Sequence, residues 1–215
     1  MIILFDLDGT LIDSTEAILE SFHHTFELHK ATHPSDEEIQ ALIGYPLDVM
    51  FADLGVEADK VWDYVATYKE HYRKISTQKT LLLNRAKEAV ERASKFATLG
   101  IVTTKTGEYS KILLEHFEIM HHFKVLIGRE DVTHPKPHKE PIMKALELLD
   151  MDAKEIWMIG DTKLDLLCAR DANVNAIAVL SGYDNYETLK MFSDIILEDA
   201  FEAVAYLEKR NISQI

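Results

Sequence analysis

Four apolar residues, Ile2-Ile3-Leu4-Phe5, stand together near the start of the chain and stop at a carboxylate, Asp6. A short apolar run closed by turn chemistry predicts a buried strand of a parallel sheet. The period then changes. Between Glu16 and about Lys30, Ile18, Phe22 and Phe26 recur every four residues with Leu19 beside them, which predicts a helix with one apolar face. Ser35 and Glu38 have the spacing of a capping box ahead of Ile39, Leu42 and Ile43. Gly44 and Pro46 interrupt that helix, and Pro46 can open the next, which runs to Leu54. A long helix from Asp59 to about Ile75 carries Val61, Val65, Tyr68 and Tyr72 on one stripe. No strand signal occurs between residues 15 and 80, so this stretch is expected to be an all-helical block with a small core of its own.

Beyond Leu81 the pattern alternates. Helix 84–95 leads to a strand from Leu99 to Thr103, and helix 108–118 to one from Val125 to Ile127. Helix 139–150 leads to Ile156 to Ile159, and helix 163–172 to Ala176 to Leu180. A short helix near 186–192 precedes Asp194 to Leu197, and a last helix covers 200–210. Strands alternating with helices predict an α/β fold with a doubly wound parallel sheet. The expected organisation is an α/β core of residues 1–14 and 80–215 with a helical cap, 15–79, inserted between hinges near 13–16 and 77–82.

Charge narrows the function. The 215 residues carry a formal net charge of -14, which argues against nucleic acid or an anionic membrane surface as partner. An anionic substrate would need local cations, a bound metal or one or two lysines, to overcome that field. Cys168 stands alone, so no internal disulfide forms and a reducing compartment fits. It reads as a buried packing residue. The opening apolar run is too short for a signal peptide or a membrane span, and a cytoplasmic location is the expectation. Monomer and homodimer are both open.

The candidate chemistry sits where the apolar runs end. Ligands of open α/β sheets bind beyond the carboxyl ends of the strands. Asp6 would lie at a strand tip and Asp8 one turn of loop later, with Gly9 giving the backbone room to bend and bring N–H groups to a ligand. Two crowded carboxylates repel, and a divalent cation or a metal-bound phosphate would relieve them, although an acidic turn alone reads the same way. Thr103 and Thr104 end a strand in hydroxyls, which either meet a phosphate oxygen or cap a turn. Pro135 and Pro137 fix the backbone around Lys136, whereas Lys139 reads as a solvated charge. Asp161 and Asp165 follow the glycine turn at Gly160, at i and i+4, as metal ligands or as helix-start acids. His23-His24 and His121-His122 are adjacent pairs that point apart. His134 and His138 bracket Lys136 and could line the rim of the site.

The stretch Asp6-Leu7-Asp8-Gly9-Thr10-Leu11-Ile12-Asp13-Ser14 resembles the first motif of the haloacid-dehalogenase (HAD) superfamily. Thr103 stands in the place of its second motif, Lys136 of its third, and Gly160-Asp161-x-x-x-Asp165 of its fourth, in the family's order. The chain is most similar to the phosphoglycolate-phosphatase-like branch, in which a helical cap follows the first motif, and Gly44-Tyr45-Pro46-Leu47 looks like that branch's cap loop. Two departures stand out. Relatives commonly have a Pro-Gly turn near Leu82 to Ala86, and often Asn in place of Thr104. The resemblance implies a Rossmann-like core and a Mg²⁺-dependent phosphatase acting on a small phosphorylated metabolite, a phosphoglycolate-like monoester. It implies Asp6 as nucleophile forming an aspartyl-phosphate, and Asp8 as general acid and base. It implies Asp6, Asp8, Asp161 and Asp165 as metal ligands, and Gly9, Thr103, Thr104, Lys136 and Tyr45 as substrate contacts. Inorganic pyrophosphatase or nucleotidase activity uses the same chemistry. A phosphosugar mutase would need a cap histidine where Ile18 stands, and the dehalogenase branch lacks an Asp at position 8. A non-enzymatic binding module would not need every matched polar residue.

Overall fold

The apolar run Ile2–Phe5 forms β1, and every side chain in it is fully buried. In the computed structural model, which describes residues 1–149 and 153–212, the chain divides into two units, Met1–Asp13 with Leu82–Ile215 and Ser14–Leu81. The strands after β1 are β2 (Ile12–Asp13), β3 (Leu81–Leu82), β4 (Thr98–Val102), β5 (Phe123–Ile127), β6 (Ile156–Gly160), β7 (Asn175–Val179) and β8 (Ile196–Leu197). Six of them form one sheet in the order β5-β4-β1-β6-β7-β8, with every pairing parallel. This is the doubly wound sheet that the alternating pattern predicts.

The helices are α1 (Thr15–Leu28), α2 (Asp36–Gln40), α3 (Leu47–Asp53), α4 (Val61–Lys79), α5 (Ala86–Ala93), α6 (Gly107–His116), α7 (Glu140–Leu149), α8 (Lys163–Asp171), α9 (Tyr186–Leu189) and α10 (Ala200–Ile212). Successive side chains of β1 serve opposite faces of the sheet. Ile3 and Phe5 join a cluster with Val90 of α5, Leu113 of α6 and Val204 of α10. Ile2 and Leu4 join one with Ile142 of α7 and Ala169 of α8. Each such side chain removed from water contributes ~1.5–3 kcal/mol, so the central strand is held from both sides. That fixes the strand tip at Asp6.

Within Ser14–Leu81 the predicted stripes become an aromatic core. Phe22 of α1 packs 4.6 Å from Phe51 of α3 and 5.0 Å from Tyr68 of α4, centroid to centroid. The capping box forms: Glu38 N donates to Ser35 Oγ, and Ser35 N to the Glu38 carboxylate. The helix behind it is shorter than expected. It ends at Gln40, and Leu42 and Ile43 lie in the turns that follow. The predicted strand from Asp194 shrinks to β8; Ile195 O still accepts from Ala178 N of β7 at 2.9 Å, while Ile195 N turns to the Ser193 hydroxyl at 3.2 Å. β2 and β3 are two residues each, too short to carry a period. Asp150, at the end of the expected helix 139–150, lies outside the described residues. Among the described residues no helix is long and apolar enough to cross a membrane.

Candidate active site

The strand order reverses at β1, which has β4 on one side and β6 on the other. Such a reversal opens a crevice at the carboxyl ends of the strands. Asp6 follows β1, Thr103 follows β4 and Asp161 follows β6, so the three residues stand at the tips of three adjacent strands. Asp6 N donates to Ile159 O at 2.9 Å, which ties the first tip to the neighbouring strand.

The carboxylates of Asp6, Asp161 and Asp165 converge, with oxygens within 4.8 Å of one another, and all three residues are buried. Lys136 Nζ lies 2.8 Å from Asp6 Oδ1 and 2.5 Å from Asp165 Oδ1. Thr162 donates its N–H and hydroxyl to Asp165 Oδ2 at 3.0 and 2.7 Å, so Asp165 is fixed at the first turn of α8. Thr10 Oγ1 donates to Asp161 Oδ1 at 2.8 Å, and Tyr183 N to Asp161 Oδ2 at 3.0 Å. Gly9 adopts φ +81°, and a Cβ there would stand 2.3 Å from Asp161 Oδ2. Only glycine suits both the left-handed backbone and that approach. Asp8 pairs with Lys105 at 3.1 Å, both side chains being largely buried. Thr103 is buried, with its Oγ1 accepting from Lys105 N at 3.2 Å.

Three buried carboxylates face one ammonium. Burial, then repulsion from Asp165, pushes Asp6 up to about 7 against the pull of Lys136. Burial, then Asp6 and Asp165, raises Asp161 well above the usual carboxylate range. Burial alone would lower the Lys136 ammonium, but Asp165 and Asp6 outweigh it and raise the value. Asp6 Oδ1 lies at ion-pair distance from Lys136, and this buried oxygen accepts no hydrogen bond of regular geometry. A cluster of hard oxygens with surplus negative charge and an unsatisfied acceptor fits a divalent cation such as Mg²⁺.

These shifts set a pH dependence for the metal-free protein. The folded value of Asp6 lies above its unfolded value of 3.8. Its contribution to stability is therefore complete below about pH 4 and is lost as pH rises through about 7. In EDTA, the unfolding free energy of the wild type, read from urea titrations, should fall relative to that of Asp6→Asn across this window, by about a few kcal/mol. A gap that stays flat from pH 4 to 8 would contradict the burial described.

Sequence reasoning gave no role to Thr10, Lys105 or the turn Ser181–Asp184. Ser181 Oγ donates to Gly9 O at 2.8 Å, and Lys163 N to Asp184 Oδ2 at 2.6 Å, so this turn braces both the first loop and the start of α8. Gly182, whose Cβ would stand 1.9 Å from Asp161 Oδ2, is the one signal that could have found it. Thr104 is half-buried beside Thr103. Tyr45 belongs to the helical unit, with its N–H on Leu42 O. His134 and His138 are exposed on the surface and turn toward Glu140. Cys168 is buried as expected, donating to His138 O at 3.1 Å, and burial pushes its thiol up to about 12.

Known proteins share this arrangement of elements. A pyrophosphatase, PpaX, of Bacillus mycoides is 32% identical over 216 residues, covering 97% of this chain and 97% of its own. A haloacid dehalogenase-like family hydrolase of Streptococcus pneumoniae superposes with TM-score 0.85 at 29% identity, over 96% of this chain and 97% of that one. A predicted phosphoglycolate phosphatase of Haemophilus somnus has TM-score 0.87 at 22% identity, over 96% of this chain and 97% of that one, a likeness of fold. The profile of the haloacid dehalogenase-like hydrolases matches residues 3–179, which hold Asp6, Asp8, Thr103, Lys136, Asp161 and Asp165. The chain belongs to the haloacid dehalogenase-like hydrolases.

Proposed function

We propose that the protein is a Mg²⁺-dependent phosphatase working through an aspartyl-phosphate on Asp6. The observation that carries this is the buried convergence of Asp6, Asp161 and Asp165 on Lys136 at the sheet's switch point, with the Asp8–Lys105 pair on the same loop cluster. The Asp6 carboxylate attacks phosphorus in line, and the bond to the leaving oxygen breaks. Asp8 protonates that oxygen, then takes a proton from the water that releases phosphate from Asp6. Lys136, Thr103 and the N–H groups of the loop after Asp6 bind the phosphoryl oxygens, with Gly9, whose own N–H donates to Ile12 O at 2.8 Å, letting the loop bend, and Thr104 adds a hydroxyl. Asp6, Asp161, Asp165 and the Asp8 backbone carbonyl would hold Mg²⁺, which supplies positive charge to the phosphoryl group when bound. The helical unit serves as a cap that excludes water, with Tyr45 as its substrate contact.

Inorganic pyrophosphate is the substrate reading with the better support, since a relative 32% identical over 97% of the chain is named a pyrophosphatase, whereas the phosphoglycolate phosphatase reported above shares 22% identity and so only a fold. A phosphoglycolate-like monoester rests on the sequence resemblance. Phosphate release should be measured from pyrophosphate and phosphoglycolate in Mg²⁺ and in EDTA. The expected result is kcat/KM at least ~10-fold higher for pyrophosphate, a difference of about 1.4 kcal/mol in transition-state binding, and no release in EDTA. Preference for phosphoglycolate would replace the substrate, and full activity in EDTA would remove the metal.

A further inference from the structure

The loop that delivers Lys136 has a second face. Its sequence is His134-Pro135-Lys136-Pro137-His138-Lys139-Glu140-Pro141. Lys136 is buried and tied to Asp6 and Asp165. His134 and His138 stay outside, with side chains 63% and 50% exposed, and Glu140 opens α7 beside them. Ligand atoms of His134, His138 and Glu140 lie within 4.8 Å of one another. Among the described residues this is the one such group besides the aspartate cluster.

We propose that His134, His138 and Glu140 form a surface site for a borderline transition-metal ion of the Zn²⁺ type, separate from the catalytic aspartates. The donor set is two imidazoles and one carboxylate, which suits Zn²⁺, Ni²⁺ or Cu²⁺ and not Mg²⁺. Much of the geometry is already in place. Thr133 N donates to Glu140 Oε1 at 2.7 Å and His134 N to Glu140 Oε2 at 2.9 Å, so the carboxylate is aimed before any ion arrives. His134 Nδ1 lies 2.8 Å from Glu140 Oε2. Two ligands each ~2.0–2.1 Å from one tetrahedral ion stand about 3.3–3.4 Å apart, so His134 and Glu140 would part by roughly half an ångström as a cation replaces the shared proton. His138 Nδ1 lies 4.0 Å from the same oxygen and accepts from Glu140 N at 3.1 Å. A rotation of its half-exposed ring completes the set, with water on the open side. Pro135, Pro137 and Pro141 limit the backbone, and the Cys168 thiol on His138 O pins the outer end. Little chain entropy is then lost on binding.

The test is metal binding at pH 7.5 with Mg²⁺ in excess to occupy the aspartates. Isothermal titration with Zn²⁺ should give one equivalent, weakened at least ~10-fold by His134→Ala and by His138→Ala. Both residues are exposed, so the variants should fold, and unchanged Mg²⁺-dependent activity without Zn²⁺ would show it. One equivalent of Cu²⁺ should give an electron paramagnetic resonance spectrum with nitrogen hyperfine coupling from two imidazoles, lost in the double variant. Absence of a Zn²⁺ equivalent in the wild type, or equal binding by the variants, overturns the site.

Discussion

Asp6→Asn should abolish turnover while leaving a folded protein. The amide is nearly isosteric, but it is a far weaker nucleophile, and a loss on the order of 10⁶-fold is the scale for removing the attacking group in a covalent hydrolase. The variant should be more stable than the wild type in EDTA at neutral pH, because burial and Asp165 push Asp6 up to about 7. Loss of activity with gain of stability separates a catalytic defect from a folding one. Asp8→Asn should behave differently. With p-nitrophenyl phosphate the leaving group needs little acid, so Asp6 is still phosphorylated, but hydrolysis slows by ~10²–10⁴-fold without its base. Brief mixing with that substrate should yield a protein heavier by one phosphoryl group, mapped to Asp6 and absent from Asp6→Asn. A phosphoryl group on a histidine, or wild-type turnover by Asp8→Asn, would end this mechanism.

The parts of the site that polarity alone exposes in the sequence are those that end an apolar run, whereas Lys136 stands out only by its flanking prolines. Phe5 gives way to Asp6 and Ile159-Gly160 to Asp161, and each polarity break marks a strand tip. The break also locates the crevice, because parallel strands place their tips on one edge. What holds Asp161 and Asp8 was not visible. Asp161 is gripped by Thr10, 151 residues away, and by the N–H of Tyr183. Lys105 meets Asp8 across the gap between two strand tips. A sequence period tells which side of an element is apolar, not which remote loop meets its end. His134 and His138 show the same limit. Their bracketing of Lys136 suggested a common site, but proline-fixed backbone turns the lysine inward and both imidazoles outward. β2 and β3 were beyond reach for another reason: two residues cannot display alternation.

Lys136→Met should have the largest effect on stability. Methionine fills similar space but leaves Asp6, Asp161 and Asp165 buried together without their cation. Removing one partner of a buried ion pair costs ~3–5 kcal/mol, since the remaining charge stays dehydrated and unpaired. The cluster can limit that loss by taking up protons, so the penalty should be small near pH 5 and grow toward pH 8. Urea midpoints in EDTA at the two pH values measure it. Mg²⁺ should restore much of the stability, because it supplies charge to the same oxygens. It should not restore turnover, because Lys136 Nζ stands 2.8 Å from Asp6 Oδ1, where phosphoryl charge develops, and loss of one such contact costs ~10²–10³-fold. Lys136→Met/Asp165→Asn should regain part of the lost stability without metal, as the two sites are in contact and their effects are not additive. If Lys136→Met unfolds at the wild-type urea concentration in EDTA at pH 8, the lysine is not what balances the aspartates. The charge balance would then have to come from protonated Asp6 and Asp161 alone, and the pH dependence of the wild type would be the place to see it.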